Sequence, residues 1–179
     1  QTQNSNIIEV GKGMLVTSNV PIFINYRNNS TYNKLILTGK NSEGLGKSFF
    51  VASQTDVRVA PTNTSGNKEA HFVSVMATED NTTVKFTFNN IISDGAAGTV
   101  SSPVTVVLNR GQSYLVRDPF NNATVSGLSV ISDKDIAVSS GSMHSSHIRE
   151  DPNDLNRDGG VDVLVPVKNL GSDHVVVAS

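Results

Sequence analysis

The chain has 179 residues and a mass of 19.0 kDa, enough for one domain of ordinary size or two small ones. Hydrophobic residues make up 37% and charged residues 17% of a sequence rich in Ser, Thr, Asn and Val. This composition excludes a coiled coil, a helical bundle and a collagen. No apolar run reaches the roughly 18 residues of a membrane span. A net charge of −2 excludes the basic footprint of a nucleic-acid-binding protein, and the lack of cysteine excludes disulfides, thiol catalysis and Cys-ligated zinc.

Period-two alternation and short β-branched runs predict strands along the chain, and helical periodicity is almost absent. The predicted strands cover residues 14–17, 21–26, 34–38, 47–52, 71–77, 83–88, 104–108, 113–117, 127–132, 136–140, 161–165 and 174–177. Turns are predicted at 79–81, 109–111 and 133–134, because Asn, Asp and Gly tolerate tight or left-handed backbone. Looser connections are predicted at 28–33, 61–69, 93–102 and 145–160. The sequence therefore predicts an all-β fold of antiparallel hairpins.

Two segments recur in the same order, which indicates an internal repeat of about 115 residues. Residues 18–22 (S-N-V-P-I) resemble 132–136 (S-D-K-D-I), and residues 45–53 (L-G-K-S-F-F-V-A-S) resemble 170–179 (L-G-S-D-H-V-V-V-A-S) with one residue inserted. We expect an N-terminal extension or linker at 1–13, a first β repeat unit at 14–131, and the start of a second, truncated unit at 132–179. About eight strands per unit fit β-sandwich-like units or, alternatively, β-propeller blades. The chain stops inside a predicted strand, so we expect a fragment of a longer protein.

Four motifs occur in one order along the chain. They are A-T-E-D-N-T-T-V at 77–84, L-N-R-G-Q-S-Y at 108–114, S-D-K-D-I-A-V at 132–138 and G-G-V-D-V-L-V-P-V at 159–167. This ordered set resembles the IgG Fc-binding protein N-terminal domain family, over roughly residues 14–179. The resemblance implies an extracellular module, because such domains occur in a secreted mucus protein of animals and in large surface adhesins of bacteria such as the Bacteroidota, some linked to gliding motility.

The sequence departs from the family pattern in two respects. Asp135 stands where the family usually has Pro, although Pro21 occupies the matching place in the first half-repeat. The cysteines of the animal members are missing throughout. The missing cysteines favour a bacterial surface adhesin and argue against antibody binding.

The run D-L-N-R-D-G-G-V-D at 154–162 predicts a calcium site, because oxygen side chains stand at positions 1, 3, 5 and 9 of an EF-hand-type loop and Gly159 permits the turn at position 6. The predicted ligands are Asp154, Asn156, Asp158 and Asp162. Position 12 is Val165, where a Glu is expected, and no flanking helices are predicted. The alternative is a solvated turn that enters a strand. A bound calcium ion would stiffen a loop between strands.

Catalytic patterns are weak. His144 and His147 precede Glu150 and Asp151, but residues three apart on a strand face opposite sides, and no nucleophile motif accompanies them. We therefore predict exposed loop histidines. The carboxylate pairs at 79–80 and 150–151 are adjacent and diverge, although partners from distant strands keep glycoside hydrolysis open as an alternative.

Four aromatic residues are candidates for stacking on sugar rings: Tyr26, Tyr32, Tyr114 and Phe120. Packing in the core or in a hairpin is the alternative, particularly for Tyr114 in its alternating strand.

The sequence taken together predicts a non-catalytic, extracellular β module of a large secreted or cell-surface adhesin. It would act by multivalent contact with surface glycans or other surface proteins, next to further domains of the same chain and without nucleic acid or membrane insertion. The alternatives are a structural spacer or assembly domain of a surface filament, and a carbohydrate-active enzyme domain. Calcium is the single predicted cofactor.

Overall fold

The computed structural model describes residues 7–29, 34–52, 71–89, 92–94, 98–118, 125–145 and 158–173. The strands are β1 (Glu9–Val10), β2 (Asn25–Asn29), β3 (Lys34–Thr38), β4 (Leu45–Phe50), β5 (His71–Ala77), β6 (Thr82–Thr87), β7 (Ile92–Asp94), β8 (Gly98–Val100), β9 (Val104–Leu108), β10 (Gln112–Asp118), β11 (Ser129–Ser145) and β12 (Asp158–Val163). Short 3-10 helices lie at Asn41–Gly44 and Val167–Asn169. The predicted all-β class is confirmed: the described residues contain no α-helix, and the antiparallel sheets curl into a half-barrel.

The 17-residue strand β11 is the spine of an eight-stranded sheet. Its first half pairs with β4 on one side and with β6 on the other, so that Val130 lies opposite both Phe49 and Phe86. Its second half pairs with β5 and with β12. Strand β9 extends the sheet beyond β6, whereas β10 and then β1 extend it beyond β5. One strand therefore joins two sections of sheet, β9-β6-β11-β4 and β1-β10-β5-β11-β12.

A single apolar core fills the inside of this curled sheet. Strand β5 shows the underlying alternation, because its residues are alternately buried and half-buried along the whole strand. The core consists of Phe49, Val51, Val73, Val75, Ala77, Val84, Phe86, Phe88, Leu108, Tyr114, Val116, Val125, Leu128, Val130, Ile136 and Val138. Each fully buried aliphatic or aromatic side chain contributes about 1.5–3 kcal/mol, so period-two patterning is the main source of stability.

The two hairpin turns at 79–81 and 109–111 follow the prediction. Asn81 has φ = 52° and Gly111 has φ = 78°, and both values lie in the left-handed region that Asn and Gly tolerate best. These turns connect β5 to β6 and β9 to β10.

The third predicted turn, at Asp133-Lys134, is wrong. Strand β11 continues through these residues, and its pairing with β4 shifts register between Ile131 and Ile136. The reason is that β11 passes from pairing with β6 to pairing with β5 at this point, and a bulge absorbs the change of partner within one strand.

Several other boundaries differ from the prediction. Residues 14–17 and 21–24 lack strand pairing, and the first hairpin begins at β2 instead. Strands β7 and β8 form a hairpin within the predicted loose connection at 93–102. Strand β12 begins three residues before the predicted 161–165 strand, at Asp158. The predicted strand at 174–177 and the predicted connection at 61–69 lie outside the described residues.

Candidate binding surface

Three of the four motifs that carry the family resemblance meet at one corner of the fold, formed by residues 78–81, 109–112 and 132–135. The Arg110 N–H donates to Asp80 Oδ1 at 3.0 Å, and the Asn81 N–H donates to Asn109 Oδ1 at 3.1 Å. The Thr83 N–H donates to Asp133 Oδ1 at 2.8 Å. Short polar side chains of each segment therefore satisfy backbone donors on a neighbouring segment.

Two more contacts close the corner. The Lys134 ammonium donates to the Asp80 carbonyl oxygen, and the Thr78 hydroxyl donates to the Asp135 carbonyl oxygen. These bonds join the β5–β6 turn to the bulge of β11. Because its polar groups bond one another, the corner is a structural joint between the two sections of sheet.

The outer side of the β9-β6-β11-β4 section is an exposed surface, here named the outer face. It consists of Ser48, Phe50, Thr83, Lys85, Thr87, Thr105, Val107, Ser129 and Ile131. The alternate residues of the same strands point into the core, which fixes the orientation of this set. Four strands at about 4.8 Å spacing make the face about 14 Å wide.

The strand register places the outer-face residues in rows. Lys85 lies opposite Thr105 on one side and Ile131 on the other, and Ile131 lies opposite Ser48. Phe50 lies opposite Ser129 in the next row, diagonal to Ile131. On a sheet, such diagonal neighbours are about 7–8 Å apart, so the ring and the aliphatic side chain can touch one ligand.

The outer face has an unusual composition for a solvated sheet. Phe50, Val107 and Ile131 are 65%, 53% and 52% exposed. Five Ser or Thr hydroxyls surround them, and Lys85 is the single charged member of the set. Hydroxyls both donate and accept hydrogen bonds, and an exposed aromatic ring offers a flat apolar surface. Such a face can bind a neutral polar ligand that has an apolar side.

Sequence reasoning did not identify the outer face, although a signal was present. In these strands every second residue faces the core and the others face solvent. Val107 and Ile131 are on the solvent side, next to the buried Leu108 and Val130. Phe50 likewise follows the buried Phe49. A binding surface is often marked by large apolar residues that face solvent on several neighbouring strands. Only the strand order shows that these three residues share one face.

The structure describes two of the four predicted calcium ligands. Asp154 and Asn156 lie outside the described residues, whereas Asp158 and Asp162 lie in β12, opposite Ser145 and Ser140. The Asp162 carboxylate forms an ion pair with the Lys40 ammonium, with Nζ at 2.9 Å from Oδ2. No group of three or more His, Cys, Asp or Glu that could hold a metal lies within the described part of the chain. The four-ligand calcium site stays a prediction.

The structure describes only some of the candidate catalytic residues. His144 lies near the end of β11, in a strand instead of the predicted loop, whereas His147, Glu150 and Asp151 lie outside the described residues. Glu79 and Asp80 lie in the corner, where Asp80 accepts the Arg110 N–H.

The four candidate aromatics do not form a platform among the described residues. Tyr114 is 6% exposed and packs against Phe86 with ring centroids 5.7 Å apart, so the packing alternative is correct for this residue. Tyr26 is 46% exposed in β2, on a different sheet from the outer face. Tyr32 and Phe120 lie outside the described residues.

Comparison with known proteins shows which family the chain is related to. The model of the IgGFc binding protein family matches residues 35–179, which include the corner, the outer face and the core. No curated protein and no solved structure matches the chain. Among the described residues, no helix has the length and hydropathy that a membrane span requires. Members of this family are binding domains and are typically extracellular or secreted. The match covers most of the sequence, and the chain belongs to the IgGFc binding protein family.

Proposed function

We propose that this chain is a non-catalytic, extracellular module of a large cell-surface adhesin and that its outer face binds surface glycans. The observation that carries the proposal is the exposed Phe50 beside Ile131, surrounded by Ser and Thr hydroxyls. A sugar ring presents C–H groups on one side, which suit an aromatic ring, and hydroxyls at its rim, which suit Ser and Thr.

The outer face supports weak contacts and not a tight single site. It is a sheet surface about 14 Å wide without a described concavity, and a pyranose ring would contact it from one side only. Many such modules on one chain raise the overall avidity by about 10²–10⁴ without any new contact. Multivalent adhesion therefore fits a flat and weakly charged face. A role in gliding motility, the context of some bacterial relatives by resemblance, stays a prediction.

The test measures glycan binding of the chain displayed as a tetramer. The biotinylated chain on streptavidin is applied to immobilised neutral oligosaccharides, with immobilised IgG Fc as a separate surface. Phe50→Ser and Ile131→Thr each remove apolar area from the outer face. Ile36→Thr is the matched control, because Ile36 is 61% exposed but lies in β3, on another sheet.

We expect the tetramer to bind at least one oligosaccharide, Phe50→Ser to weaken binding about tenfold or more, and Ile36→Thr to leave it unchanged. Equal binding by all variants would overturn the assignment of the outer face. Binding to Fc alone, with the same dependence on Phe50, would identify a protein ligand and overturn the glycan proposal.

A further inference from the structure

The segment from residue 14 to residue 24 is rich in large apolar side chains, forms no strand and is mostly exposed. Met14, Val20 and Phe23 are 65%, 60% and 75% exposed, and the segment carries four further large apolar side chains. A soluble domain rarely leaves a continuous apolar stretch of this length uncovered. The segment therefore needs a partner that the described residues do not supply.

Strand β11 has the same sequence pattern as this segment. Residues 18–22 match 132–136 at an offset of 114 positions, and 45–53 match 170–179 at an offset of 125 at the start of the match. Applying the first offset aligns residues 14–27 with 128–141, and applying the second aligns 36–39 with 161–164.

The hydrogen bonding of the two hairpins obeys these offsets. Asn25 lies opposite Thr38 in the β2–β3 pair, and their counterparts Ser139 and Val163 lie opposite each other in the β11–β12 pair. Beyond each pair, the Gly39 N–H donates to the Ile24 oxygen at 2.9 Å, and the Leu164 N–H donates to the Val138 oxygen at 2.8 Å.

Two further features repeat. The short helices at Asn41–Gly44 and Val167–Asn169 follow their hairpins at matching positions. The Val20 N–H donates to Ser18 Oγ at 3.2 Å, and at the matching position in the bulge of β11 the Ser132 hydroxyl instead donates to the Lys134 carbonyl oxygen at 2.6 Å. Each serine hydroxyl thus bonds the residue two positions later. The β2–β3 hairpin and the helix after it therefore share their local hydrogen bonding with the second half of β11, β12 and the helix that follows.

Burial is where the two segments differ. The exposed fractions are 65% for Met14, 43% for Val16 and 48% for Ile22. Their counterparts just before and within β11 are almost fully buried, at 2% for Leu128, 0% for Val130 and 0% for Ile136. In β11 these residues are covered because the strand pairs with β4, β5 and β6 and faces the core. Within the described part of the chain, the corresponding side chains of segment 14–24 have no such cover.

We propose that residues 14–24 form the spine strand of a second unit of the same fold, and that the occupant of this strand is a tandem copy of strands β4 to β10. Each unit would then receive its spine from the chain that follows its own β10, as the present core receives β11. Strand β3 lies against β12, and Lys40, which follows β3, forms an ion pair with Asp162; the β2–β3 hairpin would therefore tie the two units together. The arrangement makes a filament of units that share a rigid connection, independently of any ligand of the outer face.

The test adds the missing strands to the chain. In the extended protein, a second copy of residues 45–127 replaces residues 1–13, so that Gly127 precedes Met14 as it precedes Leu128 in the native sequence. The chain has no cysteine, so Ile22→Cys creates a unique thiol for labelling by a maleimide. Ile131→Cys is the matched control, because Ile131 is 52% exposed on the outer face.

We expect Ile22→Cys to be labelled as fast as Ile131→Cys in the original chain and roughly 100-fold more slowly in the extended protein, since labelling of a core thiol requires local opening. Ile131→Cys should react equally in both. Unchanged labelling of Ile22→Cys in a folded extended protein would overturn the proposal. Concentration-dependent protection in the original chain would identify a second chain as the occupant and would overturn the tandem arrangement.

Discussion

The contact between Gly141 and β12 gives the sharpest prediction of stability. A Cβ atom at Gly141 would lie 2.0 Å from the Gly160 oxygen and 2.8 Å from the Val161 Cα. Both are backbone atoms, so Gly141→Ala forces β11 and β12 apart. Such overpacking costs about 1–3 kcal/mol, and we place this site at the upper end because no flexible side chain can yield. Alanine also reduces the conformational entropy of the unfolded chain, which stabilises the fold by about 0.4–1 kcal/mol relative to glycine. The net loss of stability is then about 2 kcal/mol.

A loss of about 2 kcal/mol lowers the Tm of a domain of this size by about 4–8 °C. The assay is a thermal melt followed by circular dichroism. Gly171→Ala is the matched control, because the nearest atom to its Cβ is the Asp173 oxygen at 3.7 Å, an ordinary contact. We expect the control to melt within about 2 °C of the parent chain. If Gly141→Ala also melts within that range, the close approach of β11 and β12 is wrong.

Three further predictions concern the core, the corner and calcium. Phe86→Ala removes a fully buried ring and should destabilise by about 3–5 kcal/mol in urea unfolding, against less than about 1.5 kcal/mol for Phe86→Leu; equal losses would contradict the packing. Asp80→Ala removes the acceptor of the Arg110 N–H and should cost about 1 kcal/mol, whereas Glu79→Ala, at an exposed neighbour, should cost less than about 0.5 kcal/mol in the same assay. Calcium at 100 times its Kd should raise the Tm by several degrees over excess chelator, and Asp158→Ala should abolish the shift; identical melts with and without calcium would remove this site.

Much of the fold follows from local pattern. The predicted strands at 71–77 and 104–108 match β5 and β9 residue for residue, because both are short runs rich in β-branched and apolar residues. The left-handed backbone of Asn81 and Gly111 is equally a local property. The family motifs were recognised as an ordered set, and the family match confirms that recognition.

The wrong boundaries share one physical cause. Residues 14–17 have a strand-like pattern but no described pairing partner, so the pattern alone does not make a strand. Asp133 and Lys134 have turn chemistry, yet β11 continues through them because β5 and β6 pair with it in succession. Pairing partners decide both cases, and they lie far away in sequence.

The sequence by itself determined the all-β class, strands such as β5 and β9, and the hairpin turns at 79–81 and 109–111, since these depend on side chains within a few residues of one another. Tertiary structure decided which strands are neighbours. It gathered three separate motifs into one corner, and it placed Phe50 diagonal to Ile131 although 81 positions separate them. Strand order depends on long-range hydrogen bonds and on a shared core, and neither leaves a local signature in a strand. The outer face and the uncovered segment at 14–24 therefore emerge only when the sheet is assembled.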